Sequence, residues 1–297
     1  MSILIDRNTR AIVQGITGAQ ARFDTEWCLR YGTQIVAGVT PGRAGQTVHG
    51  IPVFDTVARA VAGQRVNASI VYVPAAAVKP AVLEAIEAGI ALILVTAEYV
   101  PLHDIVHITA AARRAGACLI GCNTNGVISP GKSKLGGVGG IDPQELFVPG
   151  RIGICSRSGG MTAEIALALK AAGHGVSTSV AMGGDAVTGM RMVDYLRLFE
   201  QDEETDAVVL FGEPGTANEQ EVAQALHDGA IGKPVIALIA GEFQERYPPG
   251  MSFGHAAAMI MDQSQSATAK REQLREAGAR VASSLEEIPE LLGAPGR

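Results

Sequence analysis

The sequence predicts an α/β protein built from two parallel sheets. Short runs of β-branched residues alternate with alanine-rich segments of helical spacing, a pattern typical of βαβ units. The alternation stops in the glycine- and proline-rich segment 131–150 and resumes at residue 151. We therefore predict domains over 1–130 and 151–297, joined by a connection over 131–150, although one large α/β domain also fits the 297 residues.

The individual elements follow from the same alternation. In the first half, strands buried on both faces are predicted at residues 11–17, 34–40, 69–74 and 92–97, and a helix is predicted at 79–90. In the second half, strands are predicted at RIGICS, VSTSVAMGG, DAVVLFGE and KPVIALIAG, each followed by a helical stretch. TAKREQLREAGA is predicted as an amphipathic helix on a solvated face.

Composition excludes several classes of protein. The net charge of -6 argues against general nucleic-acid binding, which requires a basic surface. The four cysteines form no CxxC pair and no Cys/His spacing resembles a zinc site, so we predict buried thiols and no metal site. Every apolar run is broken before it could span a membrane, and the N-terminus is charged too early for a signal peptide. We therefore expect a cytoplasmic protein with no membrane contact.

Ligands of open parallel sheets bind beyond the carboxyl ends of the strands, so the turns there are the candidate sites. The first turn reads Gly15-Ile16-Thr17-Gly18-Ala19-Gln20, and its glycines would let backbone N–H groups approach a phosphate. It matches neither GxGxxG nor a P-loop, so a nucleotide-type ligand and a tight structural turn both remain open.

The second strand ends in a glycine-rich loop that carries Arg43. A NAD-binding domain would favour an acidic residue in this region, whereas a guanidinium suits a phosphate. The loop therefore indicates a nucleotide with an additional phosphate, and coenzyme A (CoA) fits because its ADP part carries a 3′-phosphate. The alternative is a solvated loop charge.

His255 lies in the stretch SFGHAAAMIM. A single histidine beside an apolar run is compatible with a structural role, a metal ligand or a catalytic group, and the stretch alone favours the structural role.

Longer motifs extend over nearly the whole chain, and they resemble the α subunit of succinyl-CoA synthetase, an ADP- or GDP-forming acid–CoA ligase. The motifs that carry the resemblance are TGAQ, VTPG, YVPA, ISPG, SRSGGMTAE, VAMGGD, GEPG and Gly254-His255-Ala256. The resemblance implies an N-terminal Rossmann-like domain that binds CoA and a C-terminal flavodoxin-like ligase domain. CoA would be held by Thr17, Gly18, Ala19, Gln20, Arg43, Thr96, Ala97 and Glu98; the family usually has lysine at Arg43, so the charge is retained.

The resemblance also gives His255 a role. The matching histidine of the family is phosphorylated and carries phosphoryl between two distant sites. Glu213 would orient the ring, and the helix that begins near Ser158, Gly159 and Gly160 would direct free N–H groups at the phosphohistidine.

Some positions depart from the family pattern, and they cluster at the expected acid site. Asn123 is retained, but family members usually have threonine at Gly160 and tyrosine at Ala163. The missing ring opens volume and removes a hydrogen-bond partner, so the acid is expected to differ from succinate: malate, another substituted dicarboxylate or a sulfonated acid. The alternative is drift, with compensating contacts from the partner subunit.

The resemblance implies a partner, because the family carries its ATP-grasp domain and Mg²⁺ site on a β subunit. We predict the CoA-binding, phosphohistidine-carrying subunit of an αβ or α₂β₂ acid–CoA ligase that uses ATP or GTP. The competing hypothesis is a CoA-binding regulatory or assembly protein that kept the fold and lost catalysis.

Overall fold

The computed structural model describes residues 2–255 and 257–294. Ala256 of the Gly254-His255-Ala256 motif lies outside the described residues. Within them the chain forms two seven-stranded sheets, each mostly parallel and flanked by helices. The predicted α/β fold class is therefore confirmed.

The first sheet has the strand order β3-β4-β2-β1-β5-β6-β7, and β3 is antiparallel to β4. Its strands are β1 Arg10–Gln14, β2 Gln34–Val39, β3 Thr47–Val48, β4 Ile51–Phe54, β5 Ala68–Val71, β6 Leu92–Val95 and β7 Cys118–Ile120. The helices of this half are α1 Ala19–Tyr31, α2 Val57–Val61, α3 Val78–Glu87 and α4 Leu102–Ala115, with a 3₁₀ turn at Ala75–Ala77.

The second sheet has the order β14-β13-β12-β10-β11-β8-β9, with β8 and β9 as an antiparallel hairpin at one edge. Its strands are β8 Gly126–Ser129, β9 Ser133–Gly136, β10 Pro149–Ser156, β11 Val176–Ala181, β12 Ala207–Gly212, β13 Val235–Ile239 and β14 Arg280–Ala282. Its helices are α5 Pro143–Leu146, α6 Gly159–Ala171, α7 Met192–Gln201, α8 Asn218–His227, α9 Ala267–Glu276 and α10 Glu287–Leu292, with 3₁₀ turns at Glu242–Arg246 and Gln263–Gln265.

All eight strands that the sequence predicts are present, because their apolar residues are buried on both faces, as in β5 and β13. The first ends earlier than predicted, at Gln14, since Gly15 turns the chain with a φ of 79°. A Cβ on Gly15 would lie 2.7 Å from the carbonyl oxygen of Tyr72, so only glycine fits this turn.

The segment 131–150, predicted as a connection, carries β9, α5 and the beginning of β10. The second sheet therefore begins at residue 126. The glycines that suggested a linker instead allow close strand contact, since a Cβ on Gly136 would lie 2.6 Å from the carbonyl oxygen of Asn125. Lys134, in the same segment, is fully buried.

One of the three apolar clusters of the described residues spans both sheets. A single cluster of buried side chains joins Val13 and Ile70 of the first sheet to Val127, Val180 and Leu210 of the second. This continuous packing fixes the carboxyl ends of the two sets of strands relative to each other.

The helix predicted at TAKREQLREAGA forms as α9 with an exposed face that carries Thr268, Glu272 and Arg275, but Lys270 lies on its buried face. Lys270 is 0% exposed, and its Nζ donates a hydrogen bond to Oε2 of Glu219, which is also 0% exposed. A buried ammonium requires such a partner, and Glu219 lies on a different helix, α8. Among the described residues, no helix has the length and apolar character needed to cross a membrane.

Candidate active site

His255 and Glu213 form a hydrogen-bonded pair beyond the carboxyl ends of β12 and β13. The Nδ1 atom of His255 lies 2.9 Å from Oε2 and 3.0 Å from Oε1 of Glu213. A carboxylate only accepts hydrogen bonds, so Nδ1 carries a proton, and in the neutral ring Nε2 keeps its lone pair. The side chain of His255 is 31% exposed, so part of it is open to solvent.

The pair perturbs both acid–base groups. The hydrogen bond to Glu213 raises the pKa of His255, against the effect of partial burial. Burial alone would raise the pKa of Glu213, but the hydrogen bond from His255 and the charge of Arg157 outweigh it and lower that pKa. Glu213 is therefore ionised at neutral pH and orients the ring.

Arg157 fixes the carboxylate of Glu213. Its side chain is 1% exposed, and its Nε donates a hydrogen bond to Oε1 of Glu213 over 3.2 Å. Its Nη2 donates to the carbonyl oxygens of Gly184 and Asp185 at 3.3 and 3.2 Å. Its Nη1 is buried and has no hydrogen-bond partner within the described residues. The sequence placed Arg157 in the SRSGG motif but gave it no role.

Lys270 supports the backbone of the same loop. Its Nζ donates a hydrogen bond to the carbonyl oxygen of Glu213 over 2.7 Å and another to that of Gly215. The sequence offered no signal for this contact, because a lysine in a charged helix usually lies in solvent.

Gly184 lies directly against the His255 ring. A Cβ on Gly184 would be 2.5 Å from Cδ2 and 2.8 Å from Nε2 of His255, so a larger residue would displace the ring. The adjacent Asp185 accepts a hydrogen bond from Nδ2 of Asn123 over 3.2 Å, and burial raises its pKa. The GGD motif therefore contacts the predicted catalytic histidine and a predicted acid-site residue.

The N-terminus of α6 lies two residues beyond β10. Ser158 is its N-cap residue, and its side chain makes no capping hydrogen bond within the described part of the chain. The first N–H groups of the helix, including those of Gly159 and Gly160, therefore remain available to an anion. Because Ser158 follows Arg157, this helix end is tied to the loop around His255.

Ala163 lies in the second turn of α6 and is partly buried against the core that includes Phe147 and Ile154. It shares a helix face with Gly159, four residues earlier. Of the two predicted acid-site residues, Asn123 is bonded to Asp185 beside the His255 ring, whereas Ala163 packs against the core on α6.

The first domain contains a cavity of about 460 Å³ beyond the carboxyl ends of β1, β2 and β5. Thr17, Gly18 and Thr40 contribute to its lining, and Oγ1 of Thr17 donates a hydrogen bond to Oγ1 of Thr40 over 3.3 Å. Gly18 is the N-cap of α1, and because glycine has no side chain it does not occupy the first N–H groups of the helix. This helix end can therefore accept a phosphate, as CoA requires.

The other predicted CoA residues are not among those that line this cavity, although Ala19 and Gln20 directly follow Gly18, which does line it. Arg43 is exposed, and its backbone N–H donates a hydrogen bond to Asp55, which holds the loop. Ala19 and Gln20 begin α1, and Nε2 of Gln20 donates to Asp24 over 3.0 Å.

Thr96, Ala97 and Glu98 follow β6 and face the second domain. The carbonyl oxygen of Ala97 accepts a hydrogen bond from the backbone N–H of Asn123 over 2.9 Å. Through Asn123 and Asp185, this segment connects the predicted CoA path with the loop around His255. Among the described residues, no cluster of three His, Cys, Asp or Glu side chains could hold a metal ion.

Both halves of the chain match models of known protein families. Residues 6–99 match the family model described as CoA binding domain, and residues 155–281 match the model described as CoA-ligase. Succinate–CoA ligase [ADP-forming] subunit alpha 1 from Archaeoglobus fulgidus is 46% identical over 288 residues, which cover 97% of this chain and 96% of the relative. The chain belongs to the succinyl-CoA synthetase α-subunit family.

A second relative has a different named substrate. A subunit of the ADP-forming sulfoacetate-CoA ligase from Acholeplasma sp. is 40% identical over 295 residues, covering 98% of this chain and 97% of the relative. Both relatives are named as subunits of ADP-forming CoA ligases, so the chain is an acid–CoA ligase subunit of the succinyl-CoA synthetase type.

The fold has close counterparts among solved structures. ATP citrate lyase from Methanothrix soehngenii, in complex with citrate and CoA, superposes with a TM-score of 0.90 at 28% identity, covering 98% of this chain and 50% of that chain. The chain therefore spans half the length of that enzyme. The dinucleotide-forming acetyl-coenzyme A synthetase 1 of Ca. Korarchaeum cryptofilum shares the fold, with a TM-score of 0.72 at 15% identity, covering 96% of this chain and 60% of that chain.

Proposed function

We propose that this chain is the catalytic α subunit of a heteromeric acid–CoA ligase that makes an acyl-CoA from a small di-acid, CoA and a nucleoside triphosphate. The observation that carries the proposal is the His255–Glu213 pair, in which Nδ1 lies 2.9 Å from Oε2 and Nε2 has no hydrogen-bond partner within the described residues. In its neutral form such an imidazole is a nucleophile.

In the first step, Nε2 of His255 attacks the γ-phosphorus of the nucleotide, and the bond to the leaving diphosphate breaks. The ring then carries a positive charge that the carboxylate of Glu213 stabilises through Nδ1–H. The free N–H groups at the beginning of α6 and the buried guanidinium of Arg157 supply positive potential for the phosphoryl oxygens.

In the second step, a carboxylate oxygen of the acid attacks the phosphorus, and the P–N electron pair returns to Nε2. In the third step, the thiolate of CoA attacks the carbonyl carbon of the acyl phosphate, and inorganic phosphate leaves. The contact between Ala97 and Asn123 supports a path for the CoA thiol from the first domain to this centre. The relay divides one condensation into three displacements.

The partner would be a β subunit that supplies an ATP-grasp domain, its nucleotide and Mg²⁺, in an αβ or α₂β₂ assembly in the cytoplasm. The names of the relatives support this proposal, since they are subunits of ADP-forming ligases, which favours ATP. They also support succinate and sulfoacetate as the first acids to test, followed by malate. The small side chains at Gly160 and Ala163 favour an acid other than succinate.

The test is incubation of the purified chain with its partner subunit and γ-labelled ATP, followed by an acid screen. We expect an acid-labile, base-stable label on His255 and CoA thioester formation with one of the acids. CoA binding without label or thioester would overturn the proposal in favour of a non-catalytic CoA-binding regulatory or assembly protein.

A further inference from the structure

Asn125 lies against the N-terminal turn of α6, in the loop between β7 and β8. A Cβ on Gly159 would be 2.6 Å from Cγ, 2.8 Å from Nδ2 and 3.0 Å from Oδ1 of Asn125. The carboxamide therefore occupies the space beside the first helical residue, and glycine at 159 is what allows it to do so.

The carboxamide of Asn125 has an unmet hydrogen-bonding group. Its Oδ1 is buried and has no partner among the residues that the structure describes. The NH₂ group of the same amide is not among the fully buried atoms and is bonded to none of the described residues, so its donors are available to a ligand. The neighbouring Asn123 differs, because its Nδ2 is already bonded to Asp185.

Ala163 lies on the same side of the helix as Gly159 and is partly buried against the core. Gly159 and Ala163 are four residues apart and share one face of α6, and helical side chains lean towards the N-terminus. A large side chain at 163 would therefore extend along Gly159 towards Asn125, whereas alanine does not reach the region beside the carboxamide.

The electrostatic surroundings favour an anion in this space. The first N–H groups of α6 carry the positive end of the helix dipole, and the buried Nη1 of Arg157 is also without a partner within the described residues. A neutral amide adds hydrogen-bond donors without adding a charge that would repel an anion.

We propose that Asn125 is a specificity-determining residue that donates a hydrogen bond to the distal group of the acid substrate. The proposal rests on the proposed ligase function and specifies its substrate class: an acid with a second, oxygen-rich anionic group. A carboxylate and a sulfonate share this chemistry, and succinate and sulfoacetate are the probes that distinguish them.

The experiment compares the wild-type chain with Asn125→Ala and Asn125→Asp, each assembled with the partner subunit. Two rates are measured: labelling of His255 from ATP, and acyl-CoA formation from succinate or sulfoacetate. For the better acid, we expect kcat/KM to fall about tenfold in Asn125→Ala and about 100-fold in Asn125→Asp, whose charge repels the substrate. Labelling should stay within about twofold of wild type. The exposed Asn8 supplies the matched control, Asn8→Ala, which should leave both rates unchanged.

The outcomes separate the two proposals. Wild-type kcat/KM in both Asn125 variants would overturn the role of Asn125 while leaving the ligase function in place. Loss of labelling together with acid turnover would show that Asn125 maintains the fold of the centre, and would also overturn it. A wild-type enzyme that neither labels nor forms a thioester would overturn the proposed function itself.

Discussion

Arg157 donates a hydrogen bond to Glu213 over 3.2 Å from a position that is 1% exposed. Glu213 in turn holds Nδ1 of His255, so a buried guanidinium fixes the orientation of the predicted nucleophile through one carboxylate. A buried ion pair depends on both partners, since loss of either leaves an uncompensated charge. The tautomer of His255 therefore depends on this buried ion pair between Arg157 and Glu213.

Glu213→Gln should change the pH dependence of His255 phosphorylation. Glu213 raises the pKa of His255, and only the neutral ring has a free Nε2, so the wild-type rate should fall as pH drops through that raised pKa. The amide removes the negative charge, so the inflection should move to lower pH. The rate at high pH should fall about tenfold or more, because the ring charge that develops is no longer compensated. Labelling rates over a pH series provide the measurement, and an unmoved inflection would contradict this account.

His255→Asn should abolish both labelling and acyl-CoA formation while leaving CoA binding intact. The relay residue lies in the second domain, whereas the proposed CoA cavity is lined by Thr17 and Thr40 of the first. Labelling and turnover assays are paired with calorimetric titration of CoA. Full turnover by this variant would rule out the relay.

Gly184→Ala should severely reduce labelling of His255, because its Cβ would lie 2.5 Å from the ring. Gly232→Ala is the matched control, since Gly232 is exposed and the nearest atom to its Cβ is Oε1 of Glu200 at 3.4 Å, an ordinary contact distance. We expect the control to keep its labelling rate. Equal labelling by the two variants would mean that Gly184 does not set the ring position.

Arg43→Ala should weaken CoA binding by roughly 1–3 kcal/mol, the range for a lost charge-assisted hydrogen bond, with little effect on His255 labelling. Calorimetry measures the affinity, and Arg7→Ala, another exposed arginine, serves as the control. If CoA affinity is the same in Arg43→Ala and wild type, the loop does not bind a phosphate of CoA.

Ala163→Tyr should alter the choice of acid. The ring would fill the space beside Gly159, so kcat/KM for the native acid should fall, while activity with succinate should hold or rise. Labelling of His255 should survive, since that step does not use the acid. The measurement is the ratio of kcat/KM for the best acid to that for succinate, in variant and wild type. A ratio that changes by less than about twofold, roughly 0.4 kcal/mol, would assign acid specificity to the partner subunit.

Local patterns in the sequence predicted the elements that depend on neighbouring residues. The alternation of β-branched and alanine-rich segments gave the strands, as at Gln34–Val39 and Val235–Ile239, because residues that are adjacent in sequence share the burial of one strand. The motifs at Thr17, Ser158 and His255 were recognisable for the same reason, since each occupies one continuous turn after a strand or within a loop.

The sequence alone therefore determined the fold class, the two halves and the family. Tertiary structure decided which polar groups meet. Arg157 and Glu213 are separated by 56 residues, and Lys270 and Glu219 by 51, so neither pair leaves a local pattern. Part of the glycine-rich segment predicted as a connection belongs to the second sheet, because β9 pairs with β8 and β8 pairs with β11. The strand β11 lies more than forty residues further along the chain than β8. Only the packed structure shows that Oδ1 of Asn125 is buried without a hydrogen-bond partner within the described residues. Burial and partner geometry are set by contacts distant in sequence.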